Sequence, residues 1–206
     1  MTDDAHSLNE EDVDPDPVRQ FAAWFEQAGR AGVAAPEAAA VATASAEGAP
    51  SVRMVLVKRA DEHGFVFFTN YAGRKGRELT ANPRAALMFY WEPLGRSVRI
   101  EGLVRRTPEQ ETAAYVRSRP RGSRLSALAS PQSEVIPDRE LLERRVEDLD
   151  ARHPSDDDLP IAEGWGGFRI VPETIEFWQQ RDSRLHDRLR YRHAPGGGWL
   201  IERLAP

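Results

Sequence analysis

The spacing of apolar positions changes along the chain. Over residues 17–31 it is helical: Phe21, Trp24, Phe25 and Ala28 share a face, Asp16 can cap the N-terminus, Pro17 fits the first turn, and Gly29 and Gly32 end the run. The spacing then shortens. Ala38 to Ala44 gives a weak strand signal. Ser51 to Arg59 carries Val52, Met54, Val55, Leu56 and Val57, apolar on both faces, which predicts a central, buried strand. Turns at Glu47-Gly48 and Asp61 to Gly64 precede a strand at Phe65 to Thr69. Two more, Ala85 to Trp91 and Val98 to Val104, flank a turn at Pro93-Leu94-Gly95. Short helices are expected from Gly73 to before Pro83 and from Pro108 to Ser118 with Thr107 as cap. Pro137 to His153 forms a charged amphipathic helix, whereas Arg117 to Ser133 is polar and Pro-punctuated, with short helical turns at most. Asp156 to Pro160 is a loop. Strands return at Phe168 to Val171, Thr174 to Trp178, Leu185 to Arg192 and, after the 196–198 glycine turn, Trp199 to Arg203. Many short strands with tight turns and no βαβ alternation predict a mainly β fold, an antiparallel barrel with flanking helices.

Composition narrows the partners. The 206 residues suit one domain, and no apolar run approaches the ~20 residues that span a bilayer. The N-terminus is acidic, so no signal peptide is expected, and the cytoplasm is the expected compartment. The absence of cysteine excludes disulfides, thiol nucleophiles and Cys-ligated metals. The five histidines have no metal-ligand spacing. Residues 1–17 hold seven acids and no Lys or Arg. The head over 1–16 is therefore expected to be disordered, and the domain to run from 17 to 206. The rest has 26 acids and 28 bases, near neutrality with local basic clusters, which favours a small anionic ligand over nucleic acid. All but Lys58 and Lys75 of the 28 basic residues are Arg, so a compact ammonium at those two positions is a hint of need.

Four basic clusters are candidate chemistry. Arg53 and Lys58 share one strand yet point to opposite faces by parity. Either the strand is bulged or the two serve different parts of a ligand or different subunits. Arg74 and Lys75 open a helix, an anion site by virtue of free N–H groups and the helix dipole. Arg117, Arg119, Arg121 and Arg124, with Tyr115 and Ser123 among them, provide the donors a phosphate requires. Arg181 to Arg188 sets three arginines and His186 after the aromatic run Ile175 to Trp178. Taken alone, such a stretch is more often a solvated strand end with surface ion pairs. Two separate phosphate-like sites suggest two phosphorylated ligands, such as a cofactor and a substrate.

These residues also carry a resemblance. RMVLVK at 53–58, FFTNYAGRKGREL at 67–79, NPRAALMFYWEPL at 82–94, SRPRGS at 118–123, SPQS at 130–133, WGGF at 165–168, EFWQ at 176–179, RLHDRLRY at 184–191 and the terminal ERLAP resemble the pyridoxine/pyridoxamine 5'-phosphate oxidase family in number and order. The resemblance covers 17 to 206. It implies an FMN-binding split β-barrel, a homodimer with FMN at the interface, and oxidation of pyridoxine or pyridoxamine 5'-phosphate to pyridoxal 5'-phosphate. Hydride-type transfer from the C4' carbon to the flavin would be followed by reoxidation with O2 and release of H2O2. Position by position, Arg53, Met54, Val55, Leu56, Val57, Lys58, Phe68, Thr69, Arg74, Lys75, Gln132, Ser133, Trp178 and Arg188 match the flavin site. Lys58, Tyr115, Arg119 and Ser123 match the substrate-phosphate clamp. Arg184, Leu185 and His186 match the segment over the pyridine ring, with Arg184 and His186 the residues expected to position the reacting carbon.

Some positions depart from the family pattern. Ser97 stands where a Gln usually touches the flavin, Ser126 replaces a common Gly and Leu128 a frequent Trp. The Arg/Tyr segment that folds over substrate in some members is replaced by the acidic head. The alternatives are the sibling FMN oxidase of phenazine biosynthesis, opposed by the intact Lys58, Tyr115, Arg119 and Ser123 set, and a non-catalytic flavin- or pyridoxal-phosphate-binding protein.

Overall fold

The computed structural model describes residues 7–206. Its framework is β1 (Ala38–Ala44), β2 (Pro50–Asp61), β3 (Gly64–Asn70), β4 (Arg84–Trp91), β5 (Arg96–Arg106), β6 (Trp165–Gln179), β7 (Asp187–His193) and β8 (Trp199–Arg203). All pairings are antiparallel, in the order β3-β2-β1-β4-β5-β6-β7-β8. A further β3–β6 pairing closes the first six strands into a barrel. Closure removes the open edges that six strands of this apolarity would otherwise expose.

The two strands expected at 168–171 and 174–178 are one. The first part of β6 pairs with β3 (Trp165 to Ile170), the last with β7 (Thr174 to Gln179), and β5 runs beside both. Pairing with β5 slips between Glu101 and Gly102, opposite Pro172 and Thr174, so β6 bends as it leaves the barrel. Gly102 is required there: a Cβ would lie 2.0 Å from the Val171 carbonyl oxygen.

Phe65, Phe67, Leu87, Phe89, Trp91, Ile100 and Ile170 fill the barrel. Helix α1 (Pro17–Arg30), capped by Asp16 accepting from the Val18 N–H at 2.8 Å, lays Phe21 and Trp24 on it. The Phe21 ring lies 4.9 Å from Phe65 and 5.0 Å from Phe89. Each such fully buried aromatic contributes about 2–3 kcal/mol.

Four expectations change. Strand β2 is not buried on both faces: Val55 and Val57 turn inward, while Val52, Met54 and Leu56 are 67%, 65% and 46% exposed. The polar stretch after 117 contains a true helix, α4 (Arg121–Ala129), which buries Leu125 and Ala129. Helix α3 (Glu109–Ser118) has Pro108 rather than Thr107 at its cap; the Thr107 hydroxyl is bonded to Thr112 instead, at 3.0 Å. The acidic head from residue 7 to 16 is not loose. Leu8 and Val13 are buried, and the Tyr191 hydroxyl donates to the Asp14 carbonyl at 2.8 Å. The expectation for residues 1–6 lies outside the described residues. Helices α2 (Arg74–Ala81) and α5 (Glu140–Arg152) complete the molecule; α5 rests on α4.

Candidate functional site

The first site is built at the start of α2. Strand β3 ends at Asn70, whose side chain accepts from the Ala72 N–H at 2.8 Å and turns the chain into the helix. The first turn then holds Arg74 and Lys75 and no acid. The segment after α4 brings Gln132 and Ser133 to the same point. The Arg74 N–H donates to Ser133 Oγ at 3.1 Å, and Lys75 Nζ donates to Gln132 Oε1 and Thr69 Oγ1, both at 3.0 Å. Arg53 arrives from β2. Its guanidinium and that of Arg74 both bind Glu78, at 3.2 and 2.8 Å. Burial pushes the Glu78 carboxyl up, but hydrogen bonds from Ser51, Thr43, Arg74 and Arg53 outweigh it and hold it at about 2. Burial, with Arg53 nearby, lowers the pKa of Lys75. Three cations thus gather with one carboxylate at a helix N-terminus. The excess of two positive charges suits a phosphate dianion.

The second site adjoins the first through Phe68 and Thr69. The Phe68 ring stacks on Tyr115 of α3 at 3.9 Å, and both stack with Trp165, at 5.7 and 6.1 Å. Arg119, one turn after Tyr115, lies 4.7 Å over the Trp165 ring. Its NH1 is buried and has no hydrogen-bond partner. Burial raises the Tyr115 pKa and lowers that of Arg119. An unpaired buried donor costs about 1–3 kcal/mol, which an incoming anion would remove. Ser123 lies in the first turn of α4.

The four-arginine cluster does not survive as a unit. Arg121 is neutralised by Asp150 and Asp156, at 2.5 and 3.0 Å, and Arg124 is buried, donating to the Leu159 carbonyl at 2.8 Å. Lys58 is the extra residue of a bulge between Val57 and Arg59, the first of the two arrangements expected for it and Arg53; its ammonium lies 3.5 Å from Glu37.

The remaining expected residues gather on the sheet extension. Ser97 is buried and faces Trp178 across β5–β6, and Arg188 faces Trp178 across β6–β7. With Met88, Tyr90 and Glu176 they line a cleft of about 370 Å³. Glu176 anchors Arg188 at 2.8 Å. In the β6–β7 loop, Arg184 and Leu185 are exposed, while the His186 ring lies 4.7 Å from Trp178 and its Nδ1 accepts from the Arg181 N–H at 3.1 Å. Met54, Val55, Leu56 and Val57 line β2 between Arg53 and Lys58. The expected residues therefore form two groups, the paired anion sites and the Ser97, Trp178, Arg188 cleft.

Sequence reasoning missed Glu78, Trp165 and Glu176. Glu78 was detectable, four residues after Arg74 on one helix. Trp165 and Glu176 sit in quoted motifs, but only the fold shows what they hold.

Comparison with known proteins gives the same assignment. Residues 25–153 match the family described as pyridoxamine 5'-phosphate oxidase, and 165–206 match the pyridoxine 5'-phosphate oxidase C-terminal dimerisation region. The pyridoxine/pyridoxamine 5'-phosphate oxidase 1 of Ralstonia nicotianae is 54% identical over 200 residues, covering 97% of this chain and 93% of the relative. That of Rubrobacter xylanophilus is 55% identical, covering 97% and 91%. Among solved structures, PhzG from Burkholderia lata 383, in complex with tetrahydrophenazine-1-carboxylic acid, superposes with a TM-score of 0.89 at 32% identity over 97% of this chain and 98% of its own. A pyridoxamine 5'-phosphate oxidase-related, FMN binding protein from Nostoc punctiforme shares the fold, with a TM-score of 0.73 at 17% identity, covering 97% and 100%. With two family models spanning most of its length and relatives above half identity across nearly all of it, the chain belongs to the pyridoxine/pyridoxamine 5'-phosphate oxidase family.

Proposed function

We propose that this oxidase binds FMN and converts pyridoxamine and pyridoxine 5'-phosphate to pyridoxal 5'-phosphate in the cytoplasm, with O2 consumed and H2O2 released. The observation that carries the reading is the pair of adjoining anion sites, one at the start of α2 and one at Arg119. The α2 donor set fits the phosphate of FMN: two charges in excess, a desolvated Lys75 whose partners are neutral oxygens, and hydroxyls of Thr69 and Ser133. Arg119, with Tyr115 and Ser123, would take the phosphate of the substrate, and Lys58 would join them once it leaves Glu37.

Bound FMN would supply the two-electron acceptor and the reactivity toward O2. The chain's part is orientation. Phosphates held at two fixed points bring both ring systems together at a set distance, which replaces the entropy cost of a bimolecular encounter. Arg184 and His186 would position the carbon that gives up the hydride, and Leu185 would cover the ring and exclude water. Oxidation of the amine substrate needs one water afterwards to release ammonia. Ser97, Trp178 and Arg188 would complete the flavin site from the other protomer of a homodimer. That arrangement explains why one chain carries two half-sites on different faces.

The test is oxygen uptake by FMN-loaded protein. Peroxide formed with pyridoxamine 5'-phosphate at a rate at least about 100-fold above that with unphosphorylated pyridoxamine supports the reading. A yellow protein with no turnover would make it a flavin binder. Turnover confined to a reduced phenazine carboxylate, the class of molecule bound in the Burkholderia neighbour, would move it to the phenazine-type alternative.

A further inference from the structure

The β6–β7 loop holds two consecutive non-glycine residues in the left-handed region, Ser183 at φ 55° and Arg184 at φ 62°. Such backbone costs of order 1 kcal/mol per residue and persists only where its surroundings fix it. Within the loop, Leu185 N–H donates to the Asp182 carbonyl at 3.1 Å and Arg181 N–H to His186. The other fixing contacts converge on one carboxylate at the foot of the loop, Asp187. It accepts from the Leu8 N–H at 3.3 Å, lies 3.5 Å from Arg181 Nε and 2.8 Å from Arg203 NH1. Arg203 reaches onward from β8. Its other nitrogens bind Glu10 at 3.0 and 2.7 Å and the Leu8 carbonyl at 2.8 Å. Leu8 itself is buried. The segment from Leu8 to Glu10, the last strand and the loop are thus tied in a single knot.

We propose that Arg203 and Asp187 are positioning residues for the β6–β7 loop, and that the acidic segment from Leu8 to Glu10 is the strap that completes their network. The inference rests on the reading that Arg184 and His186 act on the substrate. Arg203 touches neither. It acts through Asp187, directly next to His186, and its rigid planar fork spreads three nitrogens toward Glu10, Asp187 and the Leu8 carbonyl, a reach that the single nitrogen of Lys does not match.

The test uses the full FMN-loaded chain with Arg203→Gln, Arg203→Lys, Glu10→Gln and, as a reference, Arg184→Ala. Hydrogen exchange of residues 181–187 should accelerate about tenfold or more in Arg203→Gln, the loss of roughly one net hydrogen bond's worth of protection, and less in Arg203→Lys. The KM for pyridoxamine 5'-phosphate should rise about tenfold in Arg203→Gln with FMN affinity within about twofold of the parent. Glu10→Gln, a surface change that leaves the fold intact, should move both readouts in the same direction by a smaller factor. Unchanged loop exchange in both Arg203→Gln and Glu10→Gln overturns the strap, as does a KM rise matched by an equal loss of FMN. If Arg184→Ala leaves KM and turnover unchanged, the role of the loop fails, and loop exchange alone then still decides whether Arg203 orders it.

Discussion

At the scale of single residues, the basic cluster at the start of α2, the proposed phosphate cradle, is organised by an acid. Glu78 is buried, yet its pKa stands at about 2, because four donors prefer it ionised. Its folded value lies below the 4.5 of an unperturbed glutamate, so its contribution to stability is complete above pH 4.5 and is lost as pH falls toward about 2. Glu78→Gln should therefore lower the melting temperature at pH 7, and the gap between parent and variant should close between pH 4.5 and 2. A gap that stays constant through that range would mean the carboxylate is not the stabilising group. Arg119 behaves in the opposite way. Its buried NH1 is unpaired, so Arg119→Met should cost little stability or none. The same change should lower kcat/KM for pyridoxamine 5'-phosphate by about 10- to 100-fold, the worth of a charge-assisted hydrogen bond, and leave unphosphorylated pyridoxamine unaffected. Equal losses on both amines would remove Arg119 from the phosphate site. The basic clusters at the helix ends were visible in the sequence, but it did not show that Arg121 and Arg124 are taken up by Asp150, Asp156 and the Leu159 carbonyl. Glu78 was legible only through Arg74, four residues before it, whereas Trp165 and Glu176 were not, because Trp165 acts through stacking that only the closed barrel creates and Glu176 through strand neighbours, Arg99 and Arg188, that only the sheet register brings beside it.

At the scale of elements, helix and strand positions followed from apolar spacing, and most strands fell where the pattern put them. Failures came where tertiary context overrode the local signal. The bent β6 looked like two strands because Pro172 interrupts the pattern. In the fold Pro172 sits at the register slip, where the ladder is already broken. The slip depends on Gly102. Gly102→Ala should destabilise the protein by several kcal/mol, since its methyl would sit 2.0 Å from the Val171 carbonyl oxygen and backbone rather than a side chain would have to move. Denaturant unfolding measures this directly, and a loss under about 1 kcal/mol would show that β5 and β6 can separate at the slip. Helix α4 was hidden by prolines on either side, although Pro120 stands at its cap, where the ring costs nothing. The acidic head misled for a different reason. Composition correctly reported charge, but Leu8 and Val13 supply enough burial, and Arg203 enough pairing, to dock it.

At the scale of the whole molecule, the strand that sequence placed in the interior raises the remaining question, because its apolar residues must be covered. Val52 and Met54 of β2 stand beside Ala42 and Ala40 of β1, which stand beside Ala86 and Met88 of β4. The small alanines in the middle leave a flat apolar face across three strands, with Leu56 and Tyr90 also exposed on β2 and β4. A face of this kind, rimmed by Arg99 and Glu101, is not left to water in a soluble monomer. The C-terminal portion matches a dimerisation region and carries Trp178 and Arg188 in the cleft bordered by Met88 and Tyr90. A second copy of the chain is the occupant that accounts for both facts. Met54→Glu would place a charge in the middle of that face, where it must be desolvated without a partner if the face is covered. The parent should sediment at twice the chain mass of 23.1 kDa and the variant at the chain mass, with an unchanged far-ultraviolet circular dichroism spectrum because the barrel core lies on the other side of β2. On the proposed site arrangement, FMN retention should fall with the dimer, since Ser97, Trp178 and Arg188 would no longer reach a flavin bound at the partner's α2. A Met54→Glu protein that remains a dimer and keeps its flavin would place the interface elsewhere and leave the exposed row on β2 without a partner.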